Sequence, residues 1–192
     1  MSYKHIYQNA FEPFIRVSDA VTEYLDNRLE LKKFNPRALI TEAGNVERYF
    51  YIVVSGVQAG YLIDRDGNKV VLAFSYPGNF TGVYDSLVSE QISHFFVESI
   101  GQSHLLALNK ADFDELFVQF PEMMTWRLRF IEMILSGRGQ REVEMLTSSA
   151  SERFEAFMKR CPDELLQIPQ KYLASYLHMK PETFSRLRAR KN

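Results

Sequence analysis

The chain has 192 residues, 46% hydrophobic and 24% charged, with a formal net charge of −1. That is ordinary for a globular protein and long enough for two modest domains, and no apolar run approaches the ~20 residues needed to span a bilayer. The start, Met1-Ser2-Tyr3-Lys4-His5, lacks the hydrophobic core of a secretion signal, so a cytoplasmic protein with no membrane partner is expected.

From residue 39 to 108 the texture is one of short β-branched and aromatic runs, 49–54, 57–63, 69–74 and 103–108, broken by glycines. Strands at such close spacing predict a sandwich or barrel. Asp64-Arg65-Asp66-Gly67-Asn68 lies between two of them, and Asp-Gly predicts a hairpin because its backbone twist matches that of the strands. Gly44, Ser55-Gly56 and Pro77-Gly78 punctuate further turns. The histidines His5, His94, His104 and His178 show no His-x-His or His-x-x-x-His spacing, so no metal site is expected, and His94 reads as a strand residue with a local hydrogen bond.

Asn109-Lys110-Ala111-Asp112 signals a helix start, followed by Phe113, Leu116, Phe117 and Phe120 at helical spacing. Pro121 opens a longer helix, 121–146, with an apolar stripe at Met124, Leu128, Ile131 and Leu135, resumed at Val143 and Leu146. The near three-four repeat suits pairing with a second copy, while Trp126, Phe130 and Met133 on another face are expected to pack on the chain's own strands. Gly137 and Gly139 each cost about 1 kcal/mol relative to Ala in a helix interior, so they mark either close helix approach or a bend. Ser149-x-x-Glu152 is a capping box opening a helix to Arg160, whose Phe154, Phe157 and Met158 would pack beneath the helices that close the chain. Cys161, the only cysteine, excludes an intrachain disulfide and an all-cysteine iron–sulfur site, and between Arg160 and Pro162 it falls at that helix's end.

Two short amphipathic helices end the sequence. The first, 170–177, sets Leu173 and Leu177 on one face beside the small Ala174; the second starts near Pro181, whose fixed φ suits a first helical position, and buries Phe184 and Leu187. The layout is that of a helix-turn-helix. Glu182, Thr183, Ser185, Arg186 and Arg190 remain for solvent or a ligand. Residues 170–192 carry Lys171, Lys180, Arg186, Arg188, Arg190 and Lys191 against Glu182 alone, a local +5, so the other 169 residues total −6. Positive potential is thus concentrated on the motif. Arg forks onto O6 and N7 of guanine and a carboxylate accepts from cytosine, so Glu182 and Arg186, one turn apart, suit one DNA groove. The competing reading of the same spacing is a solvent-exposed i,i+4 ion pair worth only about 0.2–0.5 kcal/mol.

The stretch 170–190, with Glu182-Thr183-Phe184-Ser185-Arg186-Leu187 at its centre, resembles the helix-turn-helix of the Crp/Fnr superfamily of bacterial transcription factors, in which Glu-Thr-x-x-Arg opens the recognition helix. The glycine order Gly44, Gly56, then Tyr76-Pro77-Gly78-Asn79-Phe80-Thr81-Gly82 resembles that family's jelly-roll cyclic-nucleotide-binding domain. The resemblance implies an α+β fold with three parts: a jelly-roll β-barrel sensor over 1–120, a dimerisation helix over 121–146 and a helix-turn-helix over 147–192. It implies base contacts from Arg186 and Glu182, assisted by Thr183 or Ser185, and phosphate contacts from Lys171, Lys180, Arg188, Arg190 and Lys191. Duplex DNA, a second copy of the chain and RNA polymerase are the implied partners.

The sensor departs from the family where ligand charge is met. Members that bind cyclic nucleotides follow Pro-Gly with Gly-Glu-Leu and place an Arg about ten residues later; here Gly82 is followed by Val83 and Tyr84, and the Arg position falls near Ser93 and His94. The degenerate pocket comprises Gly78, Phe80, Gly82, Val83, Tyr84, Ser93 and His94. Losing a charge-assisted bond of about 1.5–3 kcal/mol argues against cyclic AMP or cyclic GMP as effector. The barrel then senses some other small molecule or serves as a scaffold. In the motif, His178 stands where glycine is usual, Lys180 is a poor cap, and the sequence ends at Asn192 with no β-hairpin wing. The rival function is a ligand-sensing module working through protein contacts with a vestigial helix-turn-helix. An enzyme would need a nucleophile–base pair, a phosphate-cradling loop or a metal cluster, none of which the spacing shows.

Overall fold

The computed structural model describes residues 3–190. Two helices lead the chain, α1 (Lys4–Phe11) and α2 (Asp19–Asp26), the second capped by Ser18, whose hydroxyl accepts from Val21 N at 3.3 Å. Eight strands come next: β1 (Glu30–Phe34), β2 (Leu39–Thr41), β3 (Tyr49–Ser55), β4 (Gln58–Ile63), β5 (Lys69–Ser75), β6 (Phe80–Thr81), β7 (Phe96–Ser99) and β8 (Ser103–Asn109), with the short α3 (Tyr84–Ser89) between β6 and β7. They form two antiparallel four-stranded sheets, ordered β1-β8-β3-β6 and β2-β7-β4-β5. The jelly roll is therefore open: two sheets, with no strand ladder closing them into a continuous barrel among the described residues.

Strand alternation sorts the side chains. In the first sheet Phe50 and Ile52 with their partners Leu108 and Leu106 face one way, and Tyr51 and Val53 with Ala107 and Leu105 the other. A polar chain links the sheets: Gln58 Nε2 donates to Ser103 Oγ at 2.9 Å, and Ser99 Oγ to Ser103 Oγ at 2.6 Å. Gly56 is obligatory beside it. Its φ is +87°, and a Cβ there would run into Ser103 Oγ and the Gln102 carbonyl. The Asp64–Asn68 turn joins β4 to β5 with Gly67 at φ +82° and Ile63 opposite Lys69, the hairpin that Asp-Gly announced.

α4 (Lys110–Gln119), capped by Asn109, leads into α5 (Met123–Thr147), then α6 (Ala150–Arg160), α7 (Asp163–Leu166), α8 (Gln170–Tyr176) and α9 (Pro181–Ala189). Two main cores result. The first joins Tyr7, Phe11, Leu25, Phe50, Leu108, Phe113, Trp126 and Phe130, so the start of α5 is bolted to the first sheet through α1, α2 and α4. Trp126 stacks on Phe130 at 5.1 Å and meets Phe11 edge-on at 5.0 Å. The second joins Val57, Ala59, Tyr61 and Val71 of the second sheet to Phe154, Phe157, Leu165, Leu173, Leu177 and Phe184 of the terminal helices.

α5 differs from expectation on one face. Met133 is half exposed, and Ile134 takes the inward place instead. At about 100° per residue, position 134 lies closer to the direction of Phe130 than position 133 does. Gly137 and Gly139 lie inside one uninterrupted helix with nothing within 4 Å of either Cβ position, so within the chain they serve neither a close approach nor a break.

Candidate nucleic-acid interface and its supports

α8 and α9 form the two helices of the motif. Leu173, Ala174, Leu177 and Phe184 are buried to 2% or less exposure, and Phe184 meets Phe154 of α6 edge-on at 5.4 Å. The turn between them is a Schellman closure: Met179 N donates to Ala174 O at 3.0 Å and His178 N to Ser175 O at 3.0 Å, with His178 left-handed at φ +50°. That position favours glycine, which is why a histidine there breaks the usual pattern without breaking the turn.

Two guanidinium groups hold this helix end. Arg153 Nε donates to Leu177 O at 3.0 Å and its Nη2 to His178 O at 3.3 Å, while its Nη1 reaches Ser148 O at the α5–α6 joint. Arg141, from α5, donates to Tyr176 O and lies 3.8 Å above the Tyr176 ring. Cations at a helix C-terminus satisfy its last carbonyls and its dipole. Partial desolvation first, then Arg141 and Arg153, hold the imidazole of His178, an exposed residue, below its ordinary pKa. Arg160 forks onto Glu144 at 2.7 and 2.8 Å, tying α6 to α5 a second time.

The outward face of α9 is free. Glu182, Ser185, Arg186 and Arg190 are exposed, Thr183 and Arg188 half-buried, and Lys171 and Lys180 exposed at the starts of the two helices. Among the described residues no ion pair joins Glu182 to Arg186, so the bland i,i+4 reading finds no contact here. Lys180 caps α9 without a side-chain hydrogen bond, and Glu182 in the first turn complements the helix dipole. Lys191 lies outside the described residues. Cys161 caps the end of α6, its thiol pushed up to about 11 by burial and then by Asp163, so it stays protonated near neutrality.

The seven residues expected around an effector divide into four groups. Phe80 packs with Phe11, Phe50, Trp126 and Phe130, and Tyr84 with Phe113 and Phe130, its hydroxyl accepting from Arg127 Nε at 3.0 Å; both belong to the helix-side core. Ser93 is buried, but its hydroxyl is committed to Phe95 O and N at 2.8 and 2.9 Å, and His94 is exposed. Gly78, at φ +84°, donates to Val53 O and shapes the turn before β6. Gly82 and Val83 remain, and there stands a group the sequence did not announce. Buried Glu47 accepts from Val83 N at 3.4 Å, from Arg48 N and Tyr49 N at 2.9 and 3.2 Å, and from the Thr41 hydroxyl. Arg48 and Arg65 are exposed, and neither pairs with an acid among the described residues. A carboxylate beside Val83 with no guanidinium opposite does not fit a cyclic phosphate.

A second buried acid was equally unannounced. Glu98 on β7 accepts from Tyr172 of α8 at 2.7 Å, from Tyr61 at 3.2 Å and from the Lys69 ammonium. Burial opposes its ionisation, yet the bonds from Lys69 and Tyr172 prevail and hold the carboxyl below its ordinary range. Burial and Glu98 together push Tyr172 up to about 12. An acid inside the buried run Phe96-Val97-Glu98-Ser99 was the one available signal. Arg141 and Arg153 had none, being ordinary charges on charged helices.

On α5, Met124, Leu128, Ile131 and Leu135 are 39–70% exposed, with Val143 and Leu146 continuing the stripe. Among the described residues no helix is long and apolar enough to cross a membrane, and no group of three or more His, Cys, Asp or Glu is placed to hold a metal ion.

Residues 31–120 match the cyclic nucleotide-binding domain family. The chain is 24% identical to the regulatory protein HlyX of Actinobacillus pleuropneumoniae, over 93% of this chain and 78% of that one. It is 23% identical to the fumarate and nitrate reduction regulatory protein of Vibrio cholerae, over 91% and 74%. The solved structure of FixK2 from Bradyrhizobium japonicum superposes with a TM-score of 0.76 at 18% identity, over 84% of this chain and 83% of that one. Two open sheets carrying a long helix and a helix-turn-helix make up the shared fold. Residues 31–120 thus carry the pattern of a cyclic nucleotide-binding domain, and over most of its length the chain is similar to regulators of the Crp/Fnr type.

Proposed function

We propose that this chain is a non-catalytic, cytoplasmic transcription regulator of the Crp/Fnr type that reads duplex DNA as a homodimer. Its parts are a sensor over 1–120, a dimerisation helix over 121–146 and the reading head over 147–192. The observation that carries the reading is the state of α9: Phe184 is fully buried, while the side chains of Glu182, Ser185, Arg186 and Arg190 are exposed and make no hydrogen bond or ion pair among the described residues. Arg186 and Glu182 contact base edges, with Thr183 or Ser185 assisting, and Lys171, Lys180, Arg188, Arg190 and Lys191 meet phosphates. Two heads would address half-sites about 34 Å apart. RNA polymerase and an unidentified small molecule are the further partners of this reading.

The test is selection of duplexes from a random pool by the full chain. Arg186→Ala is expected to cost about 1–3 kcal/mol on the selected duplex and to relax its preference, whereas Lys171→Ala weakens selected and random duplexes alike. Equal losses on both duplexes for Arg186→Ala would remove it from base reading.

Cyclic AMP is not the effector in this reading. The support is the pair of missing charged anchors and the Glu47 carboxylate at Val83 N. Calorimetric titration is expected to show no binding in the micromolar range; a micromolar dissociation constant for cyclic AMP or cyclic GMP contradicts it.

A further inference from the structure

The reading head rests on two supports. One is α5, through Arg141 at Tyr176 O and Glu144 at Arg160. The other is the second sheet, and it is built from polar contacts of unusual economy. Ser175, three residues beyond Tyr172 on α8, donates to Lys69 O at 2.7 Å and accepts from Val71 N at 3.0 Å. β5 is an edge strand paired only with β4, so a single hydroxyl satisfies two backbone groups on its open side. Tyr172, 7% exposed, reaches across to Glu98, whose side chain is 5% exposed and already holds Tyr61 and Lys69. Around these bonds Val57, Ala59 and Val71 pack with Leu165, Leu173 and Leu177 into one apolar cluster.

None of this covers the outward face of α9. Docking onto the sheet therefore does not mask the DNA-reading side chains; it fixes where they stand. A body held only along α5 can pivot about that helix, whereas one also pinned at a strand edge and at a buried carboxylate cannot.

Resting on the reading of α9 as the recognition helix, we infer that Glu98, Tyr172 and Ser175 are positioning residues that dock each reading head on its own sensor sheet, so that a dimer presents its two recognition helices at one fixed spacing. Rigid presentation makes engagement of the second half-site effectively intramolecular at high local concentration, while a loosely held head spreads that concentration over many geometries.

The experiment uses the full chain with Tyr172→Phe and Ser175→Ala, together and singly; both substitutions keep the packing volume and remove only hydroxyls. Three duplexes selected by the wild-type chain serve as probes: two half-sites at the selected spacing, two half-sites with half a helical turn inserted, and one half-site. The double variant is expected to bind the first duplex roughly tenfold or more weakly, to bind the single half-site unchanged, and to lose discrimination between the two spacings. Hydrogen exchange at the Val71 amide is expected to accelerate by a similar factor, a local readout that a general loss of stability would not confine to that edge. Unchanged spacing discrimination in the variant, beside normal selection by the wild-type chain, overturns the positioning role and leaves the DNA reading standing. If the wild-type chain enriches no duplex, the DNA reading fails and the presenting role with it.

Discussion

His178 illustrates how a single residue can run against its local rule and still be held. Its left-handed φ of +50° costs an L-residue roughly 1–2 kcal/mol relative to glycine, and the Schellman bonds together with Arg153 at its carbonyl maintain it. His178→Gly is expected to raise stability by up to about 1 kcal/mol, part of the relief being offset by the greater freedom of glycine in the unfolded chain. The pH dependence has a definite sign. Partial desolvation of this exposed residue, then Arg141 and Arg153, depress the folded pKa below the ordinary 6.5, so the neutral imidazole's contribution is complete above that value and is lost as pH falls through the folded one. The advantage of the glycine variant therefore grows between pH 7 and pH 5. Urea midpoints of both proteins at the two pH values check this, and a variant less stable at both would refute the strain argument.

At the same scale, the outward placement of Glu182 and Arg186 was legible because helical periodicity is local: two residues one turn apart on a short helix whose other face buries Phe184. Glu47 and Glu98 were not. A buried carboxylate is tolerated only through partners brought from elsewhere, Thr41 and Val83 for one, Tyr61, Lys69 and Tyr172 for the other, and no window of sequence contains them together.

Among the elements, those that carry their own start and stop signals were readable. The capping box at Ser149 and Glu152, the Asn109 cap, the Asp-Gly hairpin and Pro181 at a first helical position all specify local geometry that tertiary packing need not supply. α1, α7 and the two-residue β6 gave no such announcement, and α2 offered only its Ser18 cap; short elements of this kind are held by the cores into which they insert Phe11, Leu25, Leu165 and Phe80. The stripe on α5 separates two jobs. Trp126 and Phe130 are spent on the chain's own first sheet, leaving Leu128, 58% exposed, among apolar neighbours on the opposite side. Under the proposed homodimer, this exposed stripe is the seam between the two copies. Leu128→Glu places a charge opposite its own copy across a two-fold seam without disturbing the buried face. Sedimentation equilibrium is expected to find a dimer for the unaltered chain and at least a tenfold weaker one for the variant, with the monomer's circular dichroism unchanged. Dimers of equal strength would place the seam elsewhere.

For the molecule as a whole, charge and architecture point in the same direction. An overall −1 conceals a C-terminal segment of +5 set on a body of −6, and that segment is carried by a helix pair docked on both the long helix and the sensor sheet. The open double sheet keeps the fold of a nucleotide-binding domain while the corner at Val83 holds Glu47 and, among the described residues, no guanidinium; under the proposed reading the working surface is the basic helix pair, which binds DNA.

The most direct test of that claim is the salt dependence of duplex affinity, measured by fluorescence anisotropy of the full chain from about 50 to 300 mM salt. Phosphate neutralisation by basic side chains on two heads predicts a log–log slope between about −4 and −9, with the selected duplex bound more tightly than random sequence throughout. A slope near zero, or no binding even at the lowest salt, would contradict the account.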